Sequence, residues 1–434
     1  MAHFLVLTVN YAPEPTGFAP HAKALVDHLV SRNHSVTVCT GFPFAPRWQR
    51  WEEYRHKFLS RTPVGDRTVV IRVSHFIPRR PSSALQRVVM EATFVLSAAF
   101  ALIGELVLRR RLPDVVLYIG AQPAIAMLAR VVAASVRSPY FVNVNDIATQ
   151  AAVDVGIVRR PWIQQVLSRF EFAAYRKAAG ASVLCRRFAE LLVEQGFGAD
   201  RIRTIRSPID ISTIQPVERD GLFRNRYGIP ADAFVVLFSG SMGLKQGLAN
   251  VVAAADRCRA TSVARGRPLH WVLVGDGEAK CAILDLVASH RLASTISVVG
   301  FEPEQGMSAM FAAADVLLLN QVSEVKDSVV PSKLLTYMAA GRPILAAVNP
   351  SSQGAEILSD ARGGLVVAPD DPEALAHGTQ QLSAMPVADL AAMGARNRAY
   401  AEQHFDQRKI LAEHEAFMLD ALSLATARPS HGTT

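Results

Sequence analysis

Residues 331–343 read PSKLLTYMAAGRP. Pro331-Ser332-Lys333 is a loop turning into a helix. The body Leu334–Ala340 stops at Gly341, and Arg342-Pro343 leads into the apolar strand Ile344–Val348. A helix that starts here aims its first backbone N–H groups and the positive end of its dipole at the preceding loop. That arrangement holds a phosphate or diphosphate. The same helix-then-strand grammar occurs in any βαβ unit, so this stretch sets the fold class before it sets the ligand.

A second segment points the same way. Val235–Phe238 is a short apolar run of buried-strand type. It enters SGSMGLKQGL (239–248) and then the helical stretch Ala249–Asp256. Gly240, Gly243 and Gly247 permit tight turning and close backbone approach. Lys245 sits among them and suits an anion as a point charge. The spacing is not GxxxxGK followed by Ser or Thr, which disfavours nucleoside triphosphate hydrolysis. Gly275-Asp276-Gly277 begins like a dinucleotide fingerprint, but Lys280 stands where its last glycine belongs, so a dehydrogenase is a weak reading.

Outward from these segments, short apolar strands alternate with helices in both halves. Strands are expected at 4–9, 35–39, 68–74, 114–119, 139–144 and 181–184, then at 234–239, 270–274, 296–299, 315–319, 344–348 and 365–367. Helices of the second half are expected at 247–262, 277–290, 306–313, 332–340, 353–359 and 371–383. The class is α/β with doubly wound parallel sheets. At 434 residues the chain suits two domains. The division expected is 1–208, 209–386, helices 387–423 packing back on the first domain, and a disordered tail 424–434.

The four cysteines, 39, 185, 258 and 281, form no CxxC or metal spacing and read as buried thiols in a reducing compartment. The chain opens on a strand, without a basic n-region or cleavage site. Charge is uneven. Residues 1–210 carry 27 Lys+Arg against 15 Asp+Glu, and residues 211–434 carry 19 against 23. Arginines cluster at 47–61, 79–87 and 109–111, with Trp48, Trp51, Tyr54 and Phe58 interleaved in the first cluster. Such a surface suits an anionic membrane. Nucleic acid lacks any supporting motif. Val88–Leu108 is the longest apolar stretch, but Glu91 and Glu105 leave 13 uncharged residues between them, short of the ~20 needed to span. A buried or interfacial helix is expected, with electrostatic docking through the arginine clusters and Trp48 and Trp51 at the interface.

Five stretches together carry a resemblance: VNYAPEPTGFAPHAKAL (9–25), NHSVTVCTGFP (33–43), FSGSMGLKQGL (238–248), WVLVGDGEAK (271–280) and VVPSKLLTYMAAGRPILA (329–346). The chain resembles a GT-B glycosyltransferase of family 4, of the bacterial colanic-acid and exopolysaccharide fucosyltransferase kind. The resemblance implies two Rossmann-like domains facing across a cleft and a retaining transfer from a nucleotide sugar to a lipid-linked saccharide, at the cytoplasmic face of a membrane. The nucleotide sugar is a substrate, and no resident cofactor is implied. The donor diphosphate falls to Gly240, Lys245, Pro331, Ser332 and Lys333, with Gly17 as a close-approach glycine of the first domain. The base falls to Gly275, Asp276, Gly277 and Phe301.

The departures matter as much. No two of the twenty aspartates form Asp-x-Asp, so no metal is expected, and Lys245 with helix-end amides is expected to stabilise the departing diphosphate. The two glutamates usual in the family are replaced by Ser328 and Thr336, leaving Glu324 and Asp327 as nearby substitutes. Asp146, after Asn143-Val144-Asn145, stands where relatives carry a histidine. It either serves the acceptor or caps the following helix. Two other readings stay open: a nucleotide-sugar epimerase, and a catalytically silent binding protein of a polysaccharide assembly.

Overall fold

The computed structural model describes residues 1–80, 83–149, 160–219, 221–262, 267–325 and 330–427. The chain divides into two compact units, 1–206 with 408 onward, and 207–407.

The first unit is built on eight strands: β1 His3–Leu7, β2 Ser35–Gly41, β3 Leu59–Val64, β4 Thr68–Val73, β5 Val115–Gly120, β6 Tyr140–Val144, β7 Gly180–Val183 and β8 Ile202–Thr204. Their order is β3-β4-β2-β1-β5-β6-β7-β8. Only β3 is antiparallel, pairing with β4. Six of these strands fall at the expected places. β3 and β8 are additions at the two edges. LSRTPV carries a proline and four exposed residues, and IRT is three residues long, so neither shows the apolar run of a central strand.

The second unit has six parallel strands: β9 Phe234–Ser239, β10 Leu269–Val274, β11 Ile296–Val299, β12 Val316–Asn320, β13 Ile344–Ala347 and β14 Gly364–Val367. The order is β11-β10-β9-β12-β13-β14. Both faces are covered. Val235 and Leu237 enter one core, while Phe234, Val236 and Phe238 enter the other. Winding reverses direction at β9, and ligands of open α/β sheets bind beyond the carboxyl ends of strands at such a switch point.

Three expectations need correction. Helix Val387–His404 stays with the second unit instead of crossing to the first. Its Asn397 Nδ2 donates to the carbonyls of Arg342 (2.8 Å) and Gly363 (2.7 Å), and Arg398 donates to those of Ile214 and Ala339. The last helix, Gln407–Ala427, is the one that joins the first unit, and it runs on through 424–427, where a disordered tail was expected. Residues 428–434 lie outside the described residues. Of the four cysteines, Cys281 is exposed, because helix Lys280–Ser289 turns Ile283 and Val287 inward instead.

The last helix docks through polar groups as well as apolar ones. Glu415 accepts from His28 Nε2 (2.8 Å) and His34 Nε2 (3.0 Å), with Arg32 at 3.4 Å. Phe417 packs edge-on against Phe141. Beside this clasp His21 and His414 stand 5.7 Å apart. Burial holds His21 down at about 4 and His414 at about 3. Below the ordinary histidine value the unfolded chain takes up protons that these folded groups refuse, so stability falls as pH drops from about 6.5 toward 4. Urea midpoints of the full chain measured across that range should decline, and His414→Leu should reduce the decline. An equal slope in the variant would remove His414 from the account.

Candidate functional site

The site is assembled at the carboxyl ends of β9 and β11. A cavity of about 200 Å³ opens there. Its floor is Ser239 and Gly240, where β9 ends. Phe301 and Glu302 line it from the turn after β11, and Met307, Met310 and Phe311 from helix Met307–Ala313. Ser332, Lys333, Thr336 and Tyr337 come from helix Ser332–Ala339.

That helix forms where PSKLLTYMAAG predicts. Pro331 is its N-cap residue and no side chain caps it. Leu334, Leu335, Tyr337, Met338 and Ala339 are buried. It ends at Ala339, and Gly341 follows at φ +66°, the left-handed position that terminates a helix without a Cβ penalty. The first turn therefore faces the cavity with backbone amides and the positive end of the dipole.

Lys333 enters the cavity as its cation. Its Nζ donates to Gln246 Oε1 at 2.6 Å and lies 4.3 Å from the centre of the Phe238 ring. Burial lowers its ammonium to about 8. Space for it depends on Gly240, where a Cβ would stand 2.2 Å from Lys333 Cε. Gly275 is required for a different reason. At φ +151° its own Cβ would stand 1.9 Å from the Gly240 carbonyl oxygen, so the ends of β9 and β10 touch backbone to backbone. Met242 N donates to the Asp276 carbonyl at 2.8 Å and continues this seam. Asp276 is exposed. Its carboxylate is held below the usual range by the Gly277 amide and then by Lys280.

Of the residues singled out from sequence, Gly240, Phe301, Ser332 and Lys333 line one cavity, with Pro331 and Gly275 adjoining. Lys245 is exposed on the short 3-10 turn Leu244–Gln246 and does not line it. Glu324 is exposed in the turn after β12, beside Ser323, whose amide donates to Asp370. Asp327 and Ser328 lie outside the described residues. Gly17 (φ +67°) and Asp146 belong to the first unit. The Asp146 carboxylate accepts from the Ile147 amide at 2.9 Å, and the next two residues are held by buried Glu171, which accepts from the amides of Ala148 and Thr149.

Sequence reasoning missed Glu302 and Tyr337. Glu302 is almost buried and accepts from Arg226 (3.0 Å) and Tyr227 (3.2 Å). Its only signal is adjacency to Phe301. Tyr337 lay inside the opening stretch as an apparent core residue. Among the described residues no three His, Cys, Asp or Glu side chains converge as a metal site.

Two family profiles match the chain: a glycosyl transferase 4-like domain over residues 16–208 and glycosyl transferases group 1 over residues 233–384. The chain belongs to the family 4, group 1 glycosyltransferases. It is therefore an enzyme of the nucleotide-sugar-dependent type, and its two doubly wound units are those of the GT-B fold. Among curated relatives, WcaI of Escherichia coli K12, named for colanic acid biosynthesis, is 27% identical over 94% of this chain and 98% of its own. The 2-deoxystreptamine glucosyltransferase of Streptomyces kanamyceticus is 28% identical over 75% and 78%. Among solved structures, the sucrose-phosphate synthase of Thermosynechococcus elongatus has a TM-score of 0.69 at 17% identity, covering 98% of this chain and 100% of that one. Anabaena HepE in complex with UDP-glucose has a TM-score of 0.64 at 16% identity, with the same coverage.

The Lys333 environment yields a measurement. An anion in the cavity binds the charged lysine, so affinity for UDP or GDP should fall as pH rises through about 8 and Lys333 loses its proton. Lys333→Arg, which keeps its charge, should flatten that fall. A wild-type affinity that stays level from pH 7 to 9.5 would refute the role.

Proposed function

We propose that this glycosyltransferase moves a sugar, with retention of configuration, from a nucleotide-sugar donor to a lipid-linked saccharide during exopolysaccharide or cell-surface glycan synthesis. The observation that carries the donor half is the cavity under the start of helix 332–339, with Lys333 inside it and Phe301 at its edge. Helix-end amides and a lysine receive a diphosphate, and an exposed aromatic receives a base by stacking. The UDP-glucose complex of a structural neighbour and the colanic acid name of a relative support the choice of donor class and pathway class. The arginine-rich first unit supports the reading of a membrane-borne acceptor and of a peripheral enzyme on the cytoplasmic face.

In this reading the reaction passes through an oxocarbenium-like state at the anomeric carbon while negative charge builds on the departing diphosphate. Lys333 and the amides of Ser332 and Lys333 take one side of that charge. Lys245, exposed one residue before the Gln246 that already binds Lys333, takes another. Asp146 serves the acceptor hydroxyl.

Incubation with a UDP- or GDP-sugar and a lipid-linked acceptor should release the nucleoside diphosphate. Its absence across both bases, with both nucleotides failing to raise the melting temperature, would sink the donor assignment. Lys245→Ala should lower turnover about 10²-fold or more with folding intact, and near-wild-type turnover would take Lys245 out of the mechanism. Transfer in excess EDTA should be nearly unchanged. Loss of activity restored by Mg²⁺ or Mn²⁺ would show that charge on the diphosphate is met by a metal instead.

A further inference from the structure

The two acids that interrupt the longest apolar stretch both face the protein. Glu105 is buried and receives two hydrogen bonds from Arg61, at 3.0 and 3.1 Å. Glu91 accepts from the Ala124 amide at 3.1 Å, and burial pushes its carboxyl up to about 7. On the opposite side of helix 84–108 nothing charged interrupts the surface. Leu85, Val89, Leu96, Phe100, Ile103 and Val107 follow one another at helical spacing, all exposed, with Leu96 at 71% and Phe100 at 68%. From Leu85 to Val107 this stripe is about 33 Å long at 1.5 Å per residue. Exposed Arg79, Arg80 and Arg87 stand at one end and Arg109–Arg111 at the other.

The helix is long and apolar enough to cross a bilayer by length and composition alone. Its inner side argues against crossing. Phe94, Ala98 and Leu102 are at most 1% exposed in the first unit, and withdrawing the helix would strand Glu105 and Arg61. Trp48 and Trp51, expected at an interface, are half-buried: Trp48 packs on Phe44, and Trp51 Nε1 donates to the Ala45 carbonyl at 3.1 Å.

We infer that the outer face of helix 84–108 lies in the plane of an anionic bilayer, its apolar stripe sunk among the acyl chains and its terminal arginines on the headgroups. The chemistry favours lipid over a second copy of the chain. Whether two such helices paired parallel or antiparallel, arginine clusters would meet arginine clusters, whereas acidic headgroups complement both ends. Attachment by a buried apolar face also differs from purely electrostatic docking, because salt screens charges and leaves apolar burial intact. The inference rests on the membrane-borne acceptor reading and is independent of the donor site.

The full chain should sediment with phosphatidylglycerol-containing vesicles, and a substantial fraction should remain bound in 1 M NaCl. Leu96→Glu with Phe100→Glu, two exposed positions, should abolish the salt-resistant fraction. Leu96→Trp should be quenched in 1 M NaCl by vesicles with brominated acyl chains, which reads insertion without disturbing the wild-type charge. Complete release of the wild type at high salt, or an unquenched Leu96→Trp, overturns insertion. So does a vesicle-indifferent dimer that the double glutamate variant converts to monomer. Nucleotide-induced stabilisation is read in parallel and should be the same in every variant, which separates a failed surface from a failed donor site.

Discussion

The donor-side geometry depends on one hydroxyl. Tyr337 Oη accepts from the Ser239 amide at 2.8 Å and donates to the Ser239 carbonyl at 3.1 Å. It thereby occupies both backbone groups of the last residue of β9, which a neighbouring strand would otherwise pair. The ring is buried, and burial raises its hydroxyl well above the usual value, so it stays protonated and keeps both roles. The bond ties helix 332–339 to the strand at which the winding reverses. The first turn of the helix, the glycine seam at 240 and 275, and Lys333 all take their positions from that tie. Removing the hydroxyl would leave two partly buried backbone groups without this partner, at a cost below the about 1–3 kcal/mol of a fully buried one.

The same tie explains why the lysine at the second position of the helix, and not Lys245, lines the cavity. Lys245 sits in a glycine-rich loop and looks available on paper. Lys333 is available because Gly240 vacates the volume its methylenes need, a relation between residues 93 positions apart in sequence. Periodicity along the chain carries no trace of it. Glu302 is hidden for a similar reason, since its partners Arg226 and Tyr227 come from a different segment of the unit.

Much else was legible. All six strands of the second sheet stand where short apolar runs bounded by Gly and Pro place them, because strands buried on both faces must be apolar throughout. Helix 332–339 starts and stops where Pro331 and Gly341 put it. The edge strands β3 and β8 of the first sheet escaped because the one carries a proline among exposed residues and the other is only three residues long. Glu91 and Glu105 read differently along the chain and around the helix. Counted along the chain they break the apolar stretch, but around the helix they share the inner side and leave the outer side whole. The division after 386 failed because Asn397 and Arg398 satisfy carbonyls of the second unit, a pairing no local pattern reveals.

The docking of 407–427 on the first unit has a consequence for how the chain is made. The Glu415 clasp closes on His28 across 387 residues of sequence. Everything needed for the second unit, 207–407, has been synthesised before Arg408 appears. At ~5–20 residues per second the first unit waits roughly 10–40 s for its closing helix while its neighbour is already complete. During that interval the surface around Phe141, Gly180 and the buried histidines is uncovered on the ribosome. The first unit is thus the last to finish folding, although its strands are the first to be made.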